Sequence, residues 1–310
     1  GMTSRALILA ATFAALLLRF DTLIAADLTK IVWPGPVELS QGELIEVSVA
    51  GADIAAVKGR IGKERIFFYT NGSSTFSAII AADVDAKPAS SRLRLSARTR
   101  SGVEILSEVP VTIKTKSFLR EAFNVPPGFD RMTPKNLAEI RREQAAFARV
   151  FAAPPTDRLW DAPFIRPVPH EASASSFGRR RIINGAPRAP HSGMDLSAPA
   201  GTDVVATNHG KVVLAGNFFF AGGSIVLDHG GSLFTMYFHL SEIRVGEGTT
   251  VKKGDVLGLS GASGRVTGAH LHWGARLANA RIDPLELLHK ISHHWQPALP
   301  SETSASEMEK

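Results

Sequence analysis

Thr267-Gly268-Ala269-His270-Leu271-His272-Trp273 is the stretch on which fold and chemistry turn. Alternate residues of a strand point to one face, so an extended run here sends His270 and His272 into the same space. A second group, His191-Ser192-Gly193-Met194-Asp195, sets an imidazole and a carboxylate four residues apart, a spacing that shares a face on a helix or a strand. Pro190 and Gly193 favour the strand or loop. Zinc accepts imidazole and carboxylate where thiolates are absent, and the chain has no cysteine. Two histidines and one acid fill three corners of a tetrahedron and leave the fourth for water, which marks a catalytic zinc rather than a structural one. Either pair alone is more often ordinary sequence than a metal site. Their force comes from lying in one region of short strands and turns. A third element, Met236-Tyr237-Phe238-His239-Leu240, reads as a strand ending in histidine. Its plainer interpretation is a half-buried ring donating to a backbone carbonyl.

Around these groups lie 310 residues, enough for about two domains. With 44% hydrophobic and 21% charged residues, the composition excludes a disordered or collagen-like chain. The absence of cysteine excludes disulfide frameworks and a cysteine nucleophile. A net charge of +6 suits anionic partners in general. No basic motif interleaved with aromatics accompanies it, so nucleic acid is not an expected partner. Arg5 followed by the apolar run Ala6 to Leu18 resembles a secretory signal, with a cleavage point after Ala25-Ala26. Arg19 and Asp21 cut that run short of the ~20 apolar residues a membrane span needs. Residues 1–26 are therefore expected to be a signal peptide. The mature chain is expected to be exported, periplasmic or cell-wall associated, with no stable membrane span.

Residues 27–127 are expected to form a β-sandwich domain of the immunoglobulin-like kind. Runs 31–33, 44–49, 65–69, 76–80, 93–97 and 109–113 are β-rich, and turn signals such as Gln41-Gly42, Asn71-Gly72 and Ser101-Gly102 separate them. Residues 128–160 are expected to hold a linker helix, with Thr133 as N-cap and Pro134 in the first turn. Leu137, Ile140, Gln144, Phe147 and Phe151 would form its packing face, Glu139, Arg141, Arg142 and Glu143 would point away, and Pro154-Pro155 would stop it. Residues 161–296 return to strands at 204–206, 211–215, 224–228, 233–239 and 256–259, with a short helix from Pro284 to Leu288. Arg179, Arg180, Arg181 and Arg188 read as a solvated basic turn or a contact for carboxylates. His229 before Gly230-Gly231 reads as part of a hairpin turn. The tail 297–310, rich in Ser and Glu, is expected to be disordered.

Three stretches together resemble the M23 (lysostaphin/LytM-type) zinc metallopeptidases. They are Gly178 through His191-Ser192-Gly193-Met194-Asp195, Asp228-His229-Gly230-Gly231 to Tyr237-Phe238-His239-Leu240-Ser241, and Gly254-Asp255-Val256-Leu257-Gly258 through His270-Leu271-His272-Trp273. The helix and β-domain before them resemble the arrangement of exported two-domain bacterial members. The resemblance implies a mainly β fold, with an antiparallel, barrel-sandwich-like peptidase domain that cleaves peptide cross-links or stems of peptidoglycan. It implies one Zn2+ held by His191, Asp195 and His272, with zinc-bound water as nucleophile. His270 would be the general base, and His239 would orient water or stabilise the oxyanion. Ala269 departs from the proline usual at that point of the family motif. A protein activator is a further expected kind of partner. Two other readings compete on the residues alone. Two histidines and a carboxylate also make the facial triad of non-haem iron oxygenases, and the chain could be a non-catalytic or latent cell-wall-binding regulator of other hydrolases.

Overall fold

The computed structural model describes residues 30–72, 74–126, 132–161, 163–169 and 175–291. The expected signal peptide and the expected disordered tail lie outside the described residues, as do residues 128–131 of the expected linker segment. No helix among the described residues is long and apolar enough to cross a membrane.

The first nine strands are β1 (Val37–Ser40), β2 (Leu44–Ala50), β3 (Ile54–Ile61), β4 (Glu64–Ile66), β5 (Tyr69–Thr70), β6 (Thr75–Ala81), β7 (Ala89–Thr99), β8 (Glu104–Lys114) and β9 (Arg120–Phe123). Strands β1-β8-β7-β3-β4 make one sheet and β2-β6-β5 a second. Alternation does the work here. Leu93, Leu95 and Ala97 of β7 point in while Arg92, Arg94, Ser96 and Arg98 point outward. Those residues share one core with Val37 and Leu39 of β1, Val47 and Val49 of β2, Val57 of β3, Ala78 and Ile80 of β6, and Val111 of β8. This is the expected sandwich. Two runs differ from expectation: the 31–33 run makes only an isolated bridge between Val32 and Ala50, and the 65–69 run breaks at Phe67-Phe68 into β4 and β5, which belong to different sheets.

Helix α1 (Pro134–Phe151) begins where the sequence places it. Thr133 Oγ1 accepts the N–H of Asn136 at 3.1 Å, and Pro134 occupies the first turn. Its buried face, however, differs from the expected one: Leu137 and Gln144 are exposed, whereas Glu143 is buried with Val150 and Phe151.

The remaining elements are β10 (Arg180–Ile183), β11 (Ala186–Pro187), β12 (Gly193–Leu196), β13 (Asp203–Val205), β14 (Gly210–Phe218), β15 (Gly222–Asp228), β16 (Leu233–Leu240), β17 (Glu242–Ile243), β18 (Thr250–Val251), β19 (Val256–Leu259), β20 (Leu271–Leu277), β21 (Ala280–Ile282) and α2 (Leu285–Lys290). An antiparallel sheet of order β12-β20-β16-β15-β14-β18, with β21 on β20, forms the second body. One face carries Leu196, Val212, Ile225, Leu227, Tyr237, Leu271 and Trp273 against Val204 of β13 and Leu257 of β19. The other carries Leu214, Val226, Phe234 and Met236 against Phe147, Val150 and Phe151 of α1. Burying such side chains stabilises by about 1.5–3 kcal/mol each, so the helix is held as part of this sheet rather than as a loose tether.

Sandwich and sheet are joined directly. Arg281 of β21 donates to both carboxylate oxygens of Asp83 at 2.7 and 2.9 Å, and Asp85 takes a third contact from it. Beside this pair Leu44, Tyr69 and Ile79 pack with Trp160, Leu233, Ile282 and Leu287. Strand β9 pairs in parallel with β10, so Arg180 and Arg181 of the expected basic turn lie in a strand, while Arg180 pairs with Asp85 and Arg179, just before β10, with Glu121 at 3.3 Å.

Candidate metal centre

Strands β12 and β20 run antiparallel with Asp195 opposite His272, and β20 runs antiparallel to β16 with His272 opposite Phe238. Facing partners on adjacent strands project to the same side, so Asp195, His272 and Phe238 form one row on the face that also receives α1. The Phe238 ring stacks on His272, centroids 5.3 Å apart and planes 5° from parallel. His191 lies just before β12, pinned by its N–H to Arg179 O at 3.0 Å and by its own carbonyl accepting from Gly178 at 2.8 Å.

Three atoms converge. His191 Nε2 is 3.0 Å from His272 Nδ1 and 3.1 Å from Asp195 Oδ1, and the last two are 3.1 Å apart. A zinc tetrahedron with bonds of about 2.0–2.1 Å has edges near 3.3 Å, so this triangle is close to one tetrahedral face. His191 Nδ1 donates to Ser176 O at 2.9 Å, which fixes the tautomer and leaves the Nε2 lone pair toward the cluster. The same residue, Ser176, accepts the Asp195 N–H on its Oγ at 2.8 Å. Gly193 makes room for the arrangement, since a Cβ there would sit 2.5 Å from His272 Nε2.

The electrostatics favour a cation. Burial alone would raise the Asp195 pKa, but hydrogen bonds and charge from His191 and His272 outweigh it and hold the carboxyl well below the usual range. Burial pushes His272 down, toward the neutral ring a metal needs. The donor set is two imidazole nitrogens and one carboxylate, with no thiolate, and it fits zinc.

Two more rings flank the triangle. His270 Nδ1 donates to Gly268 O at 2.9 Å, and its Nε2 is 3.6 Å from Asp195 Oδ1. His239 Nδ1 donates to Ser263 O at 3.0 Å, and its ring centroid is 4.9 Å from that of His270. With Nδ1 carrying the proton, each neutral ring leaves Nε2 as an acceptor. Burial and the neighbouring His272 and His270 lower the His239 pKa to about 4, so the ring is neutral near pH 7. His239 reaches this place through a β-bulge. Gly223 pairs with Leu240 and Ile225 with Tyr237, so Phe238 and His239 together oppose Ser224. The bulge puts His239 at φ 67°, a left-handed conformation rare for a residue with a Cβ. Both Phe238 and His239 thereby serve the same side of the sheet.

All five residues singled out from the sequence, His191, Asp195, His239, His270 and His272, lie in this cluster. His229 does not. It lies in the β15–β16 hairpin turn that the sequence suggests, and there its ring is fully buried in a hydrogen-bond chain. Sequence reasoning missed three contributors. Ser176 carries no local signal. Phe238 was hidden because its neighbour His239 took the attention. Glu143 stands at i, i+4 spacing with 147 and 151, but Gln144 fits the same helix face, so spacing does not choose between them.

Comparison with known proteins bears on the same residues. The family described as Peptidase family M23 matches residues 189–284. The chain is 40% identical over 126 residues to the Vibrio cholerae peptidoglycan DD-endopeptidase ShyA, a match covering 40% of this chain and 27% of ShyA. It is 33% identical over 123 residues to the DD-carboxypeptidase/endopeptidase Mpg of Neisseria meningitidis, covering 40% of this chain and 28% of Mpg. The chain thus spans about a quarter of the length of these relatives. A crystal structure from Pseudomonas aeruginosa assigned to peptidase M23 superposes with a TM-score of 0.61 at 26% identity, covering 86% of this chain and 99% of that one. That likeness extends over the sandwich and helix as well as the antiparallel sheet.

Proposed function

We propose, from the premise that residues 189–284 make this chain a member of peptidase family M23, that it is a zinc-dependent endopeptidase acting on peptide cross-links or stems of bacterial peptidoglycan. One observation carries the proposal: His191 Nε2, Asp195 Oδ1 and His272 Nδ1 meet within 3.1 Å of one another, with His270 and His239 bordering the same space. A relative matching this segment is a peptidoglycan DD-endopeptidase, which supports the wall as substrate and hence an extracytoplasmic, periplasmic or wall-associated location.

His191, Asp195 and His272 would hold one Zn2+, which when bound supplies Lewis acidity toward the scissile carbonyl and a water acidic enough to react near neutral pH. His270 Nε2, an acceptor in the neutral ring, takes the proton of the attacking water and returns it to the leaving amine. His239 borders the same space. Neutral, with Nδ1–H held by Ser263 O, it accepts a hydrogen bond from the attacking water on Nε2 and so orients it. The chain divides, in this proposal, into the signal peptide 1–26, the sandwich domain 27–127, the linker helix region 128–160, the peptidase domain 161–296 and the tail 297–310.

The test is digestion of purified peptidoglycan followed by mass analysis of the fragments. New termini at peptide bonds, abolished by chelator and restored by zinc, are expected. Intact wall in the presence of a zinc-loaded chain contradicts the proposal and favours a regulator without catalysis.

A further inference from the structure

The helix α1 precedes the segment that matches the peptidase family, yet one of its side chains, Glu143, reaches the turn that supports the catalytic cluster. Glu143 is buried, and burying a carboxylate is expensive unless its oxygens are hydrogen-bonded. Its partners are two consecutive backbone N–H groups in the β14–β15 turn: Phe220 donates to Oε2 at 3.0 Å and Ala221 to Oε1 at 3.3 Å. The carbonyl of Ala221 in turn accepts the N–H of His239 at 2.9 Å. Next to it, Gly223 donates to Ser263 Oγ at 2.8 Å, Ser263 Oγ donates to Leu240 O at 2.6 Å, and Ser263 O receives His239 Nδ1 at 3.0 Å. Packing leaves this knot no slack, since a Cβ on Gly222 would lie 2.4 Å from Ser263 and one on Gly264 2.4 Å from Phe220 O.

His239 needs such support. A residue other than glycine held at φ 67° persists only where its surroundings over-determine it. Two anchors do so, Ser263 on the ring and Ala221 on the backbone, and the second is itself fastened by Glu143.

We propose that Glu143 is a positioning residue for His239: the carboxylate of the helix fixes the 220–221 turn, and the turn's carbonyl sets the backbone that aims the His239 ring. This rests on the peptidase reading of the cluster. It also makes α1 part of the catalytic unit rather than a tether beside it.

Glu143→Ala and Glu143→Gln in the full chain test it, read by amide hydrogen exchange, metal content and the separation of kcat from KM on a soluble cross-linked muropeptide. Glu143→Ala is expected to speed exchange at Phe220, Ala221 and His239 and to lower kcat about 100-fold, the scale of a small misplacement of a reacting group, with KM and metal content unchanged. Glu143→Gln keeps one acceptor oxygen and should fall between the wild type and Glu143→Ala on both readouts. Wild-type exchange and wild-type kcat in Glu143→Ala overturn the proposal. If Glu143→Ala does not fold, Glu143→Gln decides, with wild-type behaviour on both readouts overturning it. Should the unaltered zinc-loaded chain cleave nothing, the peptidase reading fails on its own, and exchange at His239 alone decides whether Glu143 positions it.

Discussion

Asp195 and His272 stand opposite each other on adjacent antiparallel strands, with Oδ1 and Nδ1 3.1 Å apart. Two residues far apart in the chain are thus brought to one point by strand register, and a one-residue slip of β12 would turn Asp195 to the opposite face. His191, four residues before Asp195, completes the triangle. A rigid sheet therefore sets the spacing of the proposed ligands, with a loop residue added at its edge.

Asp195→Asn should abolish tight metal binding while the chain stays folded. The substitution removes the one negative charge among the three donors, so zinc affinity is expected to fall by more than the ~100-fold upper range seen for partners outside the ligand shell. Metal stoichiometry after dialysis against a weak chelator measures it.

Ser176→Ala tests a residue with no sequence signal. Its Oγ receives the Asp195 N–H, and its backbone carbonyl, which the substitution keeps, receives His191 Nδ1. Zinc affinity should fall by about 10-fold or more without loss of the site, in line with other supporting partners of metal ligands. Competition against a zinc indicator reads this directly.

His239→Ala should leave zinc stoichiometry at one per chain and lower kcat by about 100-fold or more, the scale of losing the group that orients the attacking water. Loss of the metal instead would contradict the role assigned to it and make His239 a fourth ligand.

His229 predicts a pH dependence of stability. A directional chain runs from Thr207 N–H to Tyr237 OH, from there to Thr235 Oγ1, on to His229 Nε2, and from His229 Nδ1 to His209 O. It needs a neutral ring, and burial pushes the His229 pKa to about 4 from an ordinary 6.5. The unfolded chain takes up this proton at higher pH than the folded one. The contribution is therefore complete above pH 6.5 and lost as pH falls toward 4, on the order of 3 kcal/mol across that window. Urea midpoints between pH 4.5 and 7 should slope less steeply in His229→Gln than in the wild type.

Much of the site is legible in the sequence. His-x-His in a strand and His-x3-Asp beside a proline suggested ligands through their spacing, and the resemblance to M23 peptidases assigned the roles. Thr133-Pro134 announced the start of α1 because capping is local. What remained hidden depends on non-local geometry. Alternation would place Phe238 and His239 on opposite faces, and only the bulge opposite Ser224 overrides it. Gln144 fitted the helical stripe as well as Glu143 did, and the choice was made by the backbone N–H groups of a turn more than seventy residues away. Strand β3 escaped notice because Ala55-Ala56-Val57-Lys58-Gly59 has little β propensity of its own and is extended by its partners on either side.

Anomalous diffraction at the zinc edge from crystals of the zinc-loaded full chain tests the central claim most directly. One peak is expected, about 2.0–2.2 Å from His191 Nε2, Asp195 Oδ1 and His272 Nδ1, with His270 and His239 beside it but not bonded to it. A peak ligated by a different set of side chains, or none at saturating zinc, would contradict the account.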